Sequence, residues 1–86
     1  MIRYTVVWHQ LAQDQLTRIW VDATDRKSVT EAANTVDTYL AVDPDLKGTL
    51  IDDDENIREL IQRPLRVLYS VSDDDRLVRI LAAASV

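Results

Sequence analysis

The chain has 86 residues, 47% of them hydrophobic and none of them cysteine, so we expect residues 1–86 to form a single domain without disulfides or a thiolate metal site. Its net charge of −5 excludes a chain devoted to non-specific nucleic-acid binding, which is usually basic. The charge is uneven, because residues 28–55 carry one lysine against eight acids, whereas residues 56–86 carry five arginines and no lysine against four acids.

The N-terminal half predicts a strand followed by two helices. Residues 2–8 alternate apolar with mostly polar side chains, which is typical of a half-buried strand. The pattern then changes to a helical period, and after a break at residues 24–27 a second helix is expected. We expect Ser28 and Glu31 to cap that helix reciprocally and Pro44 to end it. The two apolar stripes comprise Ala12, Leu16, Ile19, Trp20 and Ala23, then Val29, Ala32, Ala33, Val36 and Leu40.

The C-terminal half predicts a loop and three strands. Residues 45–55 read as an acidic loop, residues 56–63 and 65–71 as strands, and residues 77–84 as a last strand after an aspartate-rich hairpin turn. The order β-α-α-β-β-β predicts an α+β domain with a helix hairpin on one face of an antiparallel sheet. The last strand looks like an exposed edge, which favours a homodimer or an added partner strand.

Two weaker patterns point to no site. Asp43, Asp45, Gly48 and Asp54 match positions of a calcium-loop template, but Lys47 occupies a ligand position and would repel the ion. His9 is the sole histidine and stands where the first strand meets the first helix, so we expect it to cap a backbone group. We expect Trp8 and Trp20 to pack in the core. The sequence therefore predicts neither a metal nor a cofactor.

The arginines of the last third allow two interpretations. In one, Arg58, Arg63, Arg66, Arg76 and Arg79 form the solvated face of a one-sided sheet, with some paired to Glu59 or the turn aspartates. In the other, Arg58, Arg66 and Arg79 converge on the sheet face opposite the helices and bind an anion or a partner, with Arg63 nearby. Strand alternation favours a shared face for Arg66 and Arg79.

A family resemblance follows from this order and from four segments. "YTVVW" leading into "LAQDQLTRIW", then "LRVLYSV" before a turn and "LVRILAAA", resemble the RelE/ParE superfamily of toxins over nearly the whole chain. The resemblance implies the toxin of a bacterial, cytoplasmic type II toxin–antitoxin module, such as a plasmid stabilisation protein, with a cognate antitoxin as its partner and no membrane contact. The antitoxin of such a module covers the sheet and the helices.

The superfamily that the chain resembles has two branches with different activities. RelE-type members cleave messenger RNA on the ribosome, and Arg66 matches the strand arginine that stabilises the phosphate charge there. The family has a pair of lysines one strand earlier, and this chain has Ile57 and Glu59 at about those positions. The family's late arginine and tyrosine are also absent, because "AAASV" occupies that position. ParE-type members bind DNA gyrase and do not need those groups. The residues present therefore favour a protein-binding or catalytically degenerate toxin, with RelE-type ribonuclease activity as the alternative.

Overall fold

The computed structural model describes residues 2–86 and shows two helices packed on one five-stranded sheet. The helices are α1 and α2, and a short 3-10 turn at Pro44–Leu46 follows them. The elements in chain order are β1 (Thr5–Trp8), α1 (Gln10–Asp22), α2 (Arg26–Leu40), β2 (Thr49–Asp52), β3 (Ile57–Gln62), β4 (Leu65–Ser72) and β5 (Leu77–Ser85). The predicted α+β class, with a helix pair against a sheet, is confirmed.

The sheet differs from the prediction in two details. The strand order is β1-β5-β4-β3-β2, and β1 runs parallel to β5 while the other neighbours are antiparallel. Strand β2 lies inside residues 45–55, which were predicted to be a loop, and it pairs with β3. The sheet is therefore mixed, and its terminal strands are β1 and β2.

The exposed edge that the sequence predicts at residues 77–84 is wrong for its first half, because β5 lies between β1 and β4 in the sheet. Residues 77–80 pair with β1 on one side and β4 on the other. Beyond Ile80, β1 has turned into α1, and the side chain of Gln15 in α1 accepts a hydrogen bond from the Ala83 N–H at 2.8 Å. The helix thus satisfies a backbone donor that a neighbouring strand would otherwise bind.

The core lies between the helices and the inward face of β4 and β5. In β4, alternate residues from Leu65 to Val71 are buried, whereas the intervening residues are partly or fully exposed. The predicted stripe of α2 is confirmed as its inward face, since Val29, Ala32, Val36 and Leu40 are buried. Trp8 packs against this core, but Trp20 is 40% exposed, so its predicted core position is wrong.

The helix termini also depart from the predicted caps. Helix α2 begins earlier than expected, because Asp25 is its N-cap and accepts a hydrogen bond from the Ser28 N–H at 3.1 Å. The Ser28 hydroxyl also donates to Asp25, and these bonds lower the pKa of the Asp25 carboxyl. His9 is the N-cap residue of α1, but its side chain makes no capping hydrogen bond. Both predicted caps are therefore wrong in detail.

No helix among residues 2–86 is long and apolar enough to cross a membrane.

Candidate functional site

The sheet face turned away from the helices, here called the outer face, carries two of the predicted arginines. Arg66 on β4 alternates with buried neighbours and therefore projects outward. Arg79 on β5 pairs in register with Ser70, which also lies on the outward side of β4. Most other strand residues on this face are aliphatic or small, and they include Val7, Ile57, Ile61, Leu68, Ser70, Leu77, Ala82 and Ala84.

Arg66 is held by an ion pair with the neighbouring strand. Its Nε lies 2.5 Å from Oε2 of Glu59 on β3, and the two residues are diagonal neighbours across the strands. The Arg66 side chain is about half exposed, so the pair is worth only ~0–1 kcal/mol to folding. The predicted pairing with Glu59 is confirmed, and it neutralises the arginine that matches the family motif.

Arg66 and Arg79 do not form one anion site. Arg66 lies opposite Ala84 and Arg79 lies opposite Ser70, so they are four positions apart along β4. At the usual rise of a strand, that is roughly 13 Å between their backbone positions. Arg79 forms no ion pair with any residue from 2 to 86. The outer face therefore presents one paired and one separate guanidinium.

Arg58 points away from the outer face, so the prediction that three arginines converge there is wrong. It pairs in register with the buried residue Tyr69 and so lies on the side of the helices. Its Nε donates to the Lys47 carbonyl at 2.8 Å, and the Tyr69 hydroxyl donates to that carbonyl at 2.7 Å. Arg58 thus supports the backbone before β2 and is not available to a ligand on the outer face.

Arg63 lies in a different place again. It belongs to the turn between β3 and β4 and lines an open groove of about 750 Å³ with Arg18 of α1. Asp22 and Asp25 line the same groove, so cations and anions are mixed there. The four predicted arginines therefore occupy three separate surroundings.

The outer face lacks most groups that acid–base cleavage of RNA requires. Among its described strand residues there is no lysine, histidine or tyrosine. Tyr69 projects to the other side, and its buried position raises the pKa of its hydroxyl. Glu59 is the sole carboxylate beside Arg66, and its charge repels a phosphate at that position. What remains suits an apolar contact surface with a few charges.

A second exposed surface is the groove between the two helices. It encloses about 540 Å³ and is lined by apolar groups of both helices, including Leu16, Trp20 and Ala33. The indole N–H of Trp8 donates to Asp37 of α2 at 2.6 Å, and that of Trp20 donates to Thr30 at 3.2 Å. These bonds tie Trp8 of β1 and Trp20 of α1 to α2, and the groove is partly apolar.

A polar cluster lies at one end of the sheet. The Tyr4 hydroxyl donates to Asp73 at 2.5 Å, and the side-chain amide of Asn56 donates to Asp45 at 3.0 Å. Partial burial, reinforced by the adjacent Asp73 carboxylate, raises the pKa of Asp45. The hydrogen bond from Tyr4, and then that with Asp45, lower the pKa of Asp73. Within residues 2–86 no group of three or more histidine, cysteine or acidic residues is arranged to hold a metal ion.

Two structural contacts were missed by the sequence reading. Lys47 donates to the carbonyls of Tyr39 and Val42 at 2.6 and 2.5 Å, so it caps the C-terminal end of α2. A lysine shortly after a helix is a recognisable signal for this role. Gln15 has no comparable signal, because its contact with Ala83 depends on tertiary structure.

Comparisons with known proteins agree with this architecture. Residues 6–84 match the model of a family described as the ParE toxin of the type II toxin–antitoxin system parDE. Among solved structures, the toxin–antitoxin complex RelBE2 from Mycobacterium tuberculosis is similar at a TM-score of 0.78 and 19% identity, covering 100% of this chain and 94% of that one. None of the curated proteins matches the chain with significance.

Both branches of the superfamily occur among the similar structures. The chromosomal ParDE system from P. aeruginosa has a TM-score of 0.67 at 15% identity, with 100% of this chain and 99% of that chain covered. A mutant of the E. coli toxin RelE in the free state has a TM-score of 0.73 at 10% identity, with 96% and 83% covered. At such identities the likeness concerns the fold alone.

Proposed function

The chain belongs to the ParE toxin family of type II toxin–antitoxin systems, and from that premise we propose that it arrests growth by binding a protein target, with DNA gyrase as the candidate. The observation that carries the proposal is the outer face, where the motif arginine Arg66 is paired with Glu59 and aliphatic side chains dominate. Such a surface suits protein contact, because burying aliphatic area is favourable.

We propose that the partner that neutralises the toxin is a cognate antitoxin acting in the cytoplasm. The RelBE2 and ParDE structures named above are toxin–antitoxin complexes or systems by description, which supports a partner of this class. The interhelical groove offers a partly apolar channel that contains both tryptophans, and the outer face offers a broad sheet surface. An antitoxin that covers both would block the target surface directly.

The alternative function is ribosome-dependent cleavage of messenger RNA. It is favoured by one observation, the position of Arg66 on β4 in the motif Leu65–Tyr69, and by the RelE fold likeness. The chemistry needs a base, a cation for the phosphorane charge and a proton donor for the leaving oxygen. Among the described strand residues of the outer face, Arg66 and Arg79 are the cations, and the titratable acids are Glu59, which is paired with Arg66, and Asp52 at the far end of β2, so the set is incomplete.

Induced expression in a bacterial host tests the proposal. We expect growth arrest that co-expression of the neighbouring open reading frame relieves, together with altered plasmid supercoiling. Arg66→Ala is expected to leave the arrest intact, because the guanidinium is already paired and the proposed target contact is mainly aliphatic. Arg18→Ala, on the exposed side of α1, is the matched control for losing a surface arginine.

Two results would reject the protein-target proposal. One is growth arrest that Arg66→Ala abolishes and Arg18→Ala does not, with messenger cleavage mapped at codon boundaries, which would establish the ribonuclease. The other is normal growth and normal supercoiling while the chain accumulates in soluble, folded form.

A further inference from the structure

We propose that the free edge of β2 binds an extended, basic segment of a partner protein as an additional strand. Strand β2 is the last strand on its side of the sheet, and among residues 2–86 it pairs with β3 alone. An open edge of this kind exposes backbone donors and acceptors that another strand can satisfy. This edge is distant in the sheet order from β1 and is separate from the outer face and the interhelical groove assigned above.

The edge is flanked by exposed aliphatic side chains. Leu50 and Ile51 in β2 are 43% and 54% exposed, and Leu46 just before the strand is 82% exposed. These three residues lie within one six-residue stretch, so their exposed side chains are neighbours beside the open edge. Grouped exposed aliphatic residues beside an unpaired strand are typical of a contact surface. They would supply the pockets for alternate side chains of an added strand.

The segment before β2 is rigid, so the edge is already in its binding conformation. Pro44 is fully buried, and the Tyr69 hydroxyl lies within hydrogen-bond distance of both the Pro44 and Lys47 carbonyls. Arg58 donates to the Lys47 carbonyl as well. Gly48 has a φ of +64° and lies so close to the Glu59 carbonyl that no Cβ fits there. Because these contacts order the edge in advance, a partner strand loses less affinity to ordering it.

Charge specifies the kind of partner. Strand β2 runs directly into four acidic residues, Asp52, Asp53, Asp54 and Glu55. Among residues 2–86 the only ion pairs are Lys27–Glu31 and Arg66–Glu59, so this acidic turn is not neutralised. Asp52 accepts hydrogen bonds from the N–H groups of Asp54 and Glu55, which orders the turn, and the side chains of Asp53, Asp54 and Glu55 are exposed. A lysine- or arginine-containing strand is therefore the complementary occupant.

The same charges argue against a second copy of this chain at the edge. Pairing two β2 strands would bring two unneutralised acidic turns close to each other's acidic flanks, and like charges across strands are destabilising. The strand is also only four residues long and has an irregularity between Leu50 and Asp52. Backbone pairing alone is then too short for stable association, and the aliphatic and charge contacts must add to it.

Titration of the full-length, 15N-labelled chain with a synthetic peptide tests the proposal. The probe is the acetylated and amidated peptide KVTVKVKK, and the control is KVPVKPKK, which has the same charge but cannot pair as a regular strand. We expect saturable shifts of the amide signals of residues 46–52 with the first peptide, and slower hydrogen exchange in β2. The proline peptide is expected to shift residues 52–55 at most.

Variants of the chain separate strand addition from simple charge attraction. Ile51→Lys places a cation on the edge and is expected to weaken binding of KVTVKVKK by about tenfold. Val21→Lys, at an exposed aliphatic position of α1 that is 52% accessible, is the matched control and should bind like the wild type. The amide spectrum of each variant reports directly whether it is folded.

Several results would overturn the proposal. Equal binding of both peptides, or shifts confined to residues 52–55, would reduce the effect to electrostatic attraction without strand pairing. Shifts mapped to another surface, or no shift at all, would remove the edge as a site. Self-association of the free chain through β2, seen as concentration-dependent shifts of residues 49–52, would contradict the charge argument. Growth arrest and the antitoxin do not enter the measurement, so its failure leaves the proposed function untouched.

Discussion

Asp45 and Asp73 connect segments of the chain that are far apart in sequence. Asp45 lies in the 3-10 turn before β2, and Asp73 lies in the turn between β4 and β5. Tyr4 and Asn56 donate hydrogen bonds to these two carboxylates from two further segments. Burial and the neighbouring carboxylate raise the pKa of Asp45, whereas the Tyr4 hydroxyl lowers the pKa of Asp73. Of the two carboxylates, Asp45 therefore binds a proton more readily than Asp73 in the folded state.

Replacing Asp45 by asparagine is expected to stabilise the protein at neutral pH. The pKa of Asp45 is higher in the folded than in the unfolded state. Its stabilising contribution to the free energy of unfolding is therefore present at acidic pH and is lost as the pH rises through the folded pKa. Asparagine keeps the shape, carries no charge and can donate to Asp73. Thermal unfolding should show a higher Tm for Asp45→Asn at neutral pH and a smaller difference from wild type in acid. Asp53→Asn is the control, and a lower Tm for Asp45→Asn at neutral pH would contradict the account.

Single residues also show where sequence reasoning reaches its limit. The Asp25-x-x-Ser28 cap was open to prediction, since aspartate is a preferred N-cap, but Ser28 and Glu31 offered an equally regular pattern three residues later. Arg66 could be placed on the outer face by strand alternation alone. Arg58 could not, because its face depends on the register of β3 against β4.

Among the elements, β2 is the one that the sequence did not reveal. Its four residues, TLID, lie within an acidic segment and show no alternation of buried and exposed side chains. The strand is defined by its pairing with β3, and Gly48 just before it lies too close to the Glu59 carbonyl for a Cβ to fit. The longer strands β4 and β5 carry their own alternation and were predicted with nearly correct bounds.

Replacing Gly48 by alanine is expected to detach β2 from the sheet. The residue has a φ of +64°, and a Cβ would collide with the backbone of Glu59, so we expect a loss of about 1–3 kcal/mol in stability. Hydrogen exchange should accelerate first in residues 49–52, before the amides of β4 and β5. Ala84→Gly, at an exposed position near the end of β5, serves as a control for changing a small residue. Unchanged exchange in residues 49–52 would show that β2 does not depend on Gly48.

For the whole molecule, the pattern of apolar and polar residues predicts the class of fold but not the order and direction of the strands. The switch from strand period to helical period near His9, and the paired apolar stripes of the helices, indicate two helices against a sheet. The parallel pairing of β1 with β5 joins the two ends of the chain, and no local pattern specifies it. The same pairing places Val7 beside Arg79 and so helps to build the outer face.

The function of the molecule rests on what that outer face can bind. Its aliphatic side chains and the paired Arg66 support a protein target, whereas the described residues there supply few groups for cleaving RNA. The most direct measurement is supercoiling of relaxed plasmid DNA by purified DNA gyrase in the presence of the purified chain. We expect dose-dependent inhibition by the wild type and by Arg66→Ala alike, relieved by the antitoxin. The opposite result is that gyrase keeps its full activity at a saturating concentration of the chain, while purified ribosomes show messenger cleavage that Arg66→Ala abolishes. That result would rule out gyrase as the target.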